Sequence, residues 1–157
     1  MKKIIIALLP LVATSAFADI YANNGFYLGG GVAQISQANS SYDEAAIELN
    51  GGYKHSPFVG GEIRLGAEGT DVVYMSAYYR VESANNVGKT YLLGGYTLGT
   101  LADGSNDDSF SGFSYGAGVG FVIYETLNLN LEYRILCTDT KNDIKLSAIN
   151  VGVDYRF

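Results

Sequence analysis

The last stretch of the sequence, SAINVGVDYRF at residues 147–157, alternates between apolar and polar side chains up to its final residue. Successive side chains of a β-strand point to opposite faces, so this period of two predicts a strand with two unlike faces. The apolar face carries Ile149, Val151, Val153, Tyr155 and Phe157, and the other face carries Ala148, Asn150, Gly152, Asp154 and Arg156. We therefore expect the terminal aromatic residue to be part of the fold.

The same alternation recurs along the chain and predicts eight strands. They cover residues 25–36, 44–54, 58–67, 71–82, 89–100, 110–123, 126–137 and 144–157. In the seventh, Leu127, Leu129, Leu131, Tyr133 and Ile135 form the apolar face. The facing of the first and fifth strands is ambiguous, since the run YLLGGYTLG at 91–99 is apolar on both sides.

The start of the sequence has the pattern of a secretory signal peptide. A short basic segment precedes an apolar run over residues 4–12, and the triplet AFA at 16–18 is a small-x-small cleavage site. The run is too short to span a bilayer and contains a proline, which disfavours a membrane anchor. We predict a signal peptide at residues 1–18 and a single domain at residues 19–157.

Charge disfavours a nucleic-acid-binding protein, and the cysteine content excludes a small disulfide-stabilised protein. Cleavage would remove Lys2 and Lys3, leaving eight basic against 16 acidic residues and changing the net charge from −6 to −8. Such an acidic surface is a poor partner for the phosphates of nucleic acid. The single Cys137 cannot form an internal disulfide, so we interpret it as a small apolar filler.

Two folds fit a strand-rich secreted chain. A soluble sandwich would bury the apolar faces and hydrate the polar ones. A membrane barrel fits the strand lengths, which suit tilted spanning strands, and the even strand number, which brings both termini to one side. A spanning sheet must close, because an open edge in lipid leaves backbone groups unpaired. We favour an all-β fold, an eight-stranded antiparallel up-and-down transmembrane β-barrel, and keep the sandwich as the alternative.

The connecting segments give this barrel an orientation. The periplasmic side, where the termini lie, receives KHSP, SANNVG and YET, and the extracellular side receives QANSSYD, AEGTD, TLADGSNDD and TDTKND. Tyr53, Tyr79, Tyr155 and Phe157 cluster near the periplasmic ends. This placement is typical of an interfacial aromatic girdle.

The polar face gathers four basic and four acidic side chains. They are Glu48, Glu62, Arg64, Arg80, Glu132, Arg134, Asp154 and Arg156. Facing lipid, each arginine would cost about 2–4 kcal/mol, so we assign this face to the lumen. Eight strands leave an interior just wide enough for side chains, and buried charges must pair. We favour an ion-pair cluster that plugs the barrel over the alternative, a gated ion path.

Four stretches carry a resemblance to a known family. GFYLGGGVA, VGGEIRLG, FSYGAGVGFVIYETLNLNLEYR and INVGVDYRF resemble the small eight-stranded outer-membrane β-barrel proteins, the OmpA-barrel and OmpX-like group of the porin family. The similarity covers nearly the whole of residues 19–157. It is specific for fold and says little about function.

The resemblance implies a location and partners. It implies the bacterial outer membrane as location, outer-membrane lipids and lipopolysaccharide as surroundings, and an assembly signal at Tyr155 and Phe157 that the barrel-assembly machinery reads. It implies a counterpart of the family's buried charge network in the lumen. We expect a monomer without the periplasmic peptidoglycan-binding domain of larger relatives. The short outer loops weaken an adhesin interpretation.

No pattern predicts an enzyme, a cofactor or a metal site. A lipid-modifying barrel needs a histidine near the outer leaflet, but His55, with Ser56 beside it, falls in a periplasmic turn. The run GAGVG at 116–120 lacks the spacing of a nucleotide-binding loop, and we interpret its glycines as space for lumen side chains. The acidic run DGSNDD at 103–108 has oxygen ligands suitable for calcium, but we interpret it as a solvated loop.

The sequence thus predicts an outer-membrane protein with a structural or interaction role, in envelope integrity or in contact through its outer loops. A narrow channel for ions or small solutes is the alternative. A lipid-modifying enzyme ranks below both.

Overall fold

The fold consists of eight β-strands. The computed structural model describes residues 24–37, 43–69, 72–84, 88–103, 106–124, 126–139 and 144–157, so the predicted signal peptide lies outside the described residues. The strands are β1 Gly25–Gln37, β2 Asp43–Ser56, β3 Val59–Glu68, β4 Val72–Ala84, β5 Gly88–Asp103, β6 Asn106–Tyr124, β7 Leu127–Asp139 and β8 Ile144–Arg156. Within these ranges no helix is long and apolar enough to cross a membrane.

The strands close into one antiparallel barrel in chain order. Each strand pairs with the next, and β8 pairs with β1 in a register that runs from Tyr27 opposite Arg156 to Gln37 opposite Leu146. The predicted up-and-down barrel is confirmed, and closure excludes the two packed sheets of a sandwich. We call the end at which β1 begins and β8 ends the terminal end, and the opposite end the far end.

The chain terminus takes part in closing the barrel. The backbone N–H of Phe157 donates a hydrogen bond to the carbonyl of Phe26 at 3.1 Å. On the other side of β8, the N–H of Arg156 donates to the carbonyl of Thr126 at 2.8 Å. The last residues therefore belong to the hydrogen-bonded wall at its terminal end.

The two faces of the wall are the reverse of those of a soluble protein. Large apolar side chains point outward, and Leu28, Leu65 and Val151 are all more than half exposed. Charged side chains such as Glu48, Glu62 and Arg134 point inward and are buried. This inversion suits a barrel whose outside meets hydrocarbon and whose inside is packed with polar groups.

The strands whose facing was ambiguous follow the same rule. In β5, Tyr91 and Leu93 point inward and are buried, while Leu92 points outward at 63% exposure. In β1, Tyr27 is buried and its neighbour Leu28 is exposed. Leu93 is thus an apolar side chain inside the lumen, which explains why the alternation is hard to see in β5.

One predicted outward residue is buried. Ile135 pairs with Tyr115 and Ser147, but only 7% of its surface is exposed. A register shift follows between Ile135 and Cys137, so that Leu136 is an extra residue in β7 and Cys137 lies opposite the buried Leu146. A β-bulge of this kind shifts the alternation by one residue, which a strict period of two cannot anticipate.

The hairpin of β5 and β6 is longer than predicted. The segment TLADGSNDD was expected to be an outer loop, but its strand pairing continues from Thr100 opposite Ser109 to Asp103 opposite Asn106. Polar residues on a hairpin beyond the bilayer can keep pairing because both of their faces meet water, so composition alone does not mark the strand ends.

An apolar core fills the far end of the lumen. It consists of buried residues from six strands, namely Ala33, Ile35, Ala46, Val72, Tyr74, Phe110, Leu136, Cys137, Leu146 and Ala148. Cys137 is fully buried there, in agreement with its interpretation as a filler. The charged part of the lumen therefore lies between this core and the terminal end.

Candidate functional site in the barrel lumen

All eight charged residues predicted from the sequence point into the barrel. Seven of them are buried to at least 95%, and the side chain of the eighth, Arg156, is 20% exposed at the terminal end. They come from strands β2, β3, β4, β7 and β8, because the even-numbered positions of these strands face inward. The structure therefore gathers them in one interior space.

The part of this site nearest the apolar core is built around Glu48. This carboxylate forms an ion pair with Arg134 and accepts hydrogen bonds from the hydroxyl of Tyr74 and, at 2.6 Å, from the side-chain amide of Asn150. Arg134 also contacts Glu132, with 2.6 Å between Nε and Oε1. Arg134 therefore links the carboxylates of Glu48 on β2 and Glu132 on β7.

Arg64 occupies the middle of the lumen. Its two terminal nitrogens donate to both carboxylate oxygens of Glu132 at 2.6 and 2.8 Å, and its Nε donates to Glu62. The planar guanidinium group matches a carboxylate in this two-bond geometry, which is among the stronger charged hydrogen bonds in proteins. Arg64 thus continues the connection toward the terminal end.

Arg80 connects the middle of the lumen to the terminal end. Its Nη1 donates to Glu62 at 2.9 Å and its Nε donates to Glu82 at 3.1 Å. Glu82 also pairs with Lys54, and Arg156 reaches it at 3.4 Å. The guanidinium of Arg80 lies over the ring of Tyr91, 3.8 Å from the centroid, which adds a cation–π contact.

These contacts form a single alternating row of acids and bases. In order from the apolar core it runs Glu48, Arg134, Glu132, Arg64, Glu62, Arg80, Glu82 and Lys54. We call it the lumen chain. Each interior member lies between two opposite charges, which is the arrangement that offsets the cost of removing a charge from water.

A second group lies beside the lumen chain. Asp154 accepts hydrogen bonds from Lys89 at 2.8 Å, from Asn128 at 2.7 Å and from Asn130 at 2.8 Å. We call these four residues the Asp154 cluster. Three donors, one of them the ammonium group of Lys89, occupy most of the acceptor capacity of one carboxylate.

Three further charged residues of the lumen, Lys54, Glu82 and Lys89, were not predicted from the sequence. Lys54 and Glu82 lie at the next inward positions after Gly52 and Arg80, so continuing the alternation by two residues would have found them. Lys89 begins β5, whose apolar residues on both faces hid the pattern. The prediction was four acids and four bases. With these three residues included and the partly exposed Arg156 left out, the buried charges of the described chain are five acids and five bases.

Glycines determine where the lumen tyrosines lie. Tyr27 is opposite Gly52 and Tyr74 is opposite Gly66, and a Cβ on either glycine would collide with the ring across from it. With the rings lying flat over these glycines, the hydroxyl of Tyr27 reaches Glu62 at 2.6 Å and that of Tyr74 reaches Glu48. The missing side chains therefore place two hydrogen-bond donors on the lumen chain.

The glycines of the GAGVG run have the same role. Gly116, Gly118 and Gly120 point inward, and an added Cβ would meet the side chains of Arg134, Tyr91 and Lys89 respectively. This agrees with the interpretation of these glycines as space for lumen side chains. No helix follows them, and the strand β6 continues through the run.

The other residues singled out in the sequence lie apart from the lumen. His55 is exposed near the end of β2, with its ring 6.1 Å from that of Tyr79. The side chains of residues 103–108 lie outside the described part of the chain, and within the described part no group of three or more His, Cys, Asp or Glu side chains could hold a metal ion. Tyr155 and Phe157 point outward with their rings edge to face at 5.2 Å.

The chemistry available to this site is electrostatic. Its acids and bases are already engaged with each other, so the arrangement is suited to filling the barrel and fixing the relative positions of its strands. Partners such as Arg64 and Glu132 are 68 residues apart in sequence, and each such pair ties distant strands together across the lumen.

Comparisons with solved structures find the same fold in small barrels of several bacteria. The N-terminal β-barrel domain of OprF from Pseudomonas aeruginosa matches with a TM-score of 0.67 and 10% identity, covering 86% of this chain and 100% of that one. Neisserial surface protein A matches with a TM-score of 0.65 and 15% identity, covering 85% and 97%. Ail, the attachment invasion locus protein of Yersinia pestis, solved in complex with the heparin analogue sucrose octasulfate, matches with a TM-score of 0.61 and 19% identity, covering 86% and 99%.

The sequence itself gives the family. No curated protein sequence matches the chain. The family described as outer membrane protein beta-barrel domain matches it over residues 4–157, which is nearly its full length. Together with the closed eight-stranded barrel and its inverted faces, this match shows that the chain belongs to the outer membrane protein β-barrel family.

Proposed function

We propose that this outer-membrane barrel is a non-conducting scaffold with a structural or interaction role. It would stabilise the envelope or present its outer segments to partners, while its lumen stays closed. The observation that carries the proposal is the lumen chain, which fills the interior with eight alternating charges. The apolar core at the far end supports it, because hydrated ions do not enter a packed apolar region.

We further propose that the protein is exported and oriented as its family resemblance implies. The signal peptide at residues 1–18 would be cleaved after export through the inner membrane, and the terminal end of the barrel would face the periplasm. The intact mass of the protein purified from outer membranes tests the first point. A mass that includes residues 1–18 would contradict it.

The partners we propose are those of an outer-membrane surface. Outer-membrane lipids and lipopolysaccharide would surround the apolar outer face, and the protein would act as a monomer. We do not propose that this chain binds an anionic ligand such as the sucrose octasulfate bound to Ail, because a mature net charge of −8 disfavours anionic ligands. We propose no enzymatic activity, since His55 lies at the terminal end and away from the outer leaflet in this orientation.

Single-channel conductance in a planar bilayer tests the closed lumen. The refolded protein is added to the bilayer, and a barrel of the same family known to conduct serves as the positive control. We expect no steps above the baseline from the wild-type chain. Steady steps whose size changes when Arg80 or Glu132 is neutralised would overturn the proposal and move the protein to the channel class.

A further inference from the structure

An interior cavity lies between the lumen chain and the Asp154 cluster. Its volume is about 10 Å³, and its lining includes Arg80, Tyr91, Asn130 and Glu132. A space of this size accommodates about one water molecule. Polar side chains form most of the lining, and only Gly152 and Val153 contribute none, so the cavity differs from the dry apolar voids that stay empty in protein cores.

Three residues of this lining each carry a buried polar atom with no well-aligned hydrogen-bond partner among the described residues. The atoms are Nη2 of Arg80, the hydroxyl of Tyr91 and Oδ1 of Asn130. The three residues are each more than nine-tenths buried. Buried polar atoms in folded proteins nearly always have a partner, which is either protein or ordered water.

The orientation of two of these groups, Arg80 and Asn130, is fixed by their other contacts. Arg80 uses Nε and Nη1 on Glu82 and Glu62, so Nη2 is the nitrogen left over. Asn130 must direct its Nδ2 toward Asp154, because a carboxylate only accepts, and Oδ1 therefore remains as an acceptor. The three residues thus offer a cationic donor, a neutral acceptor and a hydroxyl that can either donate or accept.

We propose that one structural water molecule occupies this cavity and joins the lumen chain to the Asp154 cluster. The water accepts from Nη2 of Arg80, donates to Oδ1 of Asn130 and completes its bonds with the hydroxyl of Tyr91. An anion fits less well, because Oδ1 of Asn130 and the carboxylate of Glu132 both line the same cavity. The two charged groups of the lumen would then form one connected network.

A crystal structure at a resolution that shows ordered water tests this site directly. We expect a density peak at about 2.7–3.2 Å from all three atoms. Crystals soaked in bromide distinguish the anion, which would give an anomalous peak at that position. Such a peak, or an empty cavity whose three atoms have found protein partners, would overturn the proposal.

A matched pair of variants tests it in solution. Asn128→Leu and Asn130→Leu each remove one amide donor from Asp154, but only Asn130 lines the cavity. Oxygen-17 relaxation dispersion counts long-lived internal waters in the refolded protein. We expect Asn130→Leu to hold one fewer than the wild type and Asn128→Leu to match the wild type. Equal counts of long-lived waters in all three proteins would contradict the proposed site. If a variant does not fold, the crystal structure of the wild-type protein still tests the proposal.

Discussion

Glu62 shows what a single residue contributes to the closed lumen. Its carboxylate is 2% exposed and accepts hydrogen bonds from Arg64, Arg80 and Tyr27. A charge in this position is stable only while all of its partners are present, and the same holds for each partner. Removing one charge therefore costs more than the pair contributes as a whole, since it leaves the others buried without compensation.

The substitution Glu62→Gln measures this effect. Gln keeps the size of the side chain but removes the charge between Arg64 and Arg80, so we expect the free energy of unfolding to fall by about 3–5 kcal/mol. Equilibrium urea unfolding in lipid vesicles gives this number. Glu44→Gln is the control, because Glu44 is exposed on β2 and its change should stay within about 0.5 kcal/mol. A similar small loss for Glu62→Gln would contradict a tightly paired lumen.

At the scale of single residues, the sequence identifies six of the eight members of the lumen chain, all except Glu82 and Lys54, but not which of them pair. Arg64 and Glu132 share an inward parity that the alternation reveals. Their pairing depends on the tilt and stagger of strands that are far apart in sequence, and neither quantity appears in a local pattern. Ile135 was predicted to face lipid and is buried, because the bulge at Leu136 changes the wall locally.

The strands acquire their shape from glycines that lie opposite aromatic rings. Tyr91 of β5 lies over Gly118 of β6, and Phe110 of β6 lies over Gly99 of β5, so each strand of this hairpin supplies a ring to the other. A ring over a glycine buries backbone and lets the sheet bend tightly. The alternation shows which glycines face inward, but which ring covers each one depends on register.

The substitution Gly118→Ala tests these pairs. The new methyl group would collide with the ring of Tyr91, so we expect unfolding to become easier by about 1–3 kcal/mol. Gly94→Ala on β5 is the control, because a Cβ there meets nothing within 4 Å. It should be neutral or slightly stabilising, since alanine reduces the freedom of the unfolded chain. Equal losses for both variants in vesicle unfolding would count against the ring-on-glycine pairing.

For the whole molecule, the C-terminal residue Phe157 contributes to the closure of the barrel. Phe157 closes the seam through its backbone, and its side chain points outward at 76% exposure. A side chain so exposed adds little to the packing of the barrel. Its role as an assembly signal, together with Tyr155, stays a prediction from the family resemblance.

The substitution Phe157→Asp separates these roles. We expect the amount of folded barrel in the outer membrane to fall several-fold, because the assembly signal would be lost while the backbone bond to Phe26 is retained. The measurement is the band that shifts on boiling in gels of the membrane fraction. Phe58→Asp is the control, since Phe58 is also an exposed aromatic residue at the terminal end. Unchanged amounts in the Phe157 variant would remove the signal role.

At this largest scale the sequence predicts the architecture well. Eight alternating segments and the inversion of polar and apolar faces follow from the requirement that lipid meets no unpaired backbone and few charges. The length of the β5–β6 hairpin was not predictable, because beyond the bilayer neither face is constrained. The inward position of Lys89 was not predicted either, because β5 carries apolar residues on both faces. Leu93 points inward and its neighbour Leu92 points outward, so polar and apolar residues do not alternate there.

A double-mutant cycle on Arg64 and Glu132 tests whether the lumen chain is a single connected row of ion pairs. The unfolding free energies of Arg64→Met, Glu132→Met and the double variant are compared with the wild type in vesicles. We predict a coupling energy of about 1–3 kcal/mol, with the double variant losing less than the sum of the single ones. Strictly additive losses would show that the two side chains do not act as a pair and that the lumen chain is not connected at this point.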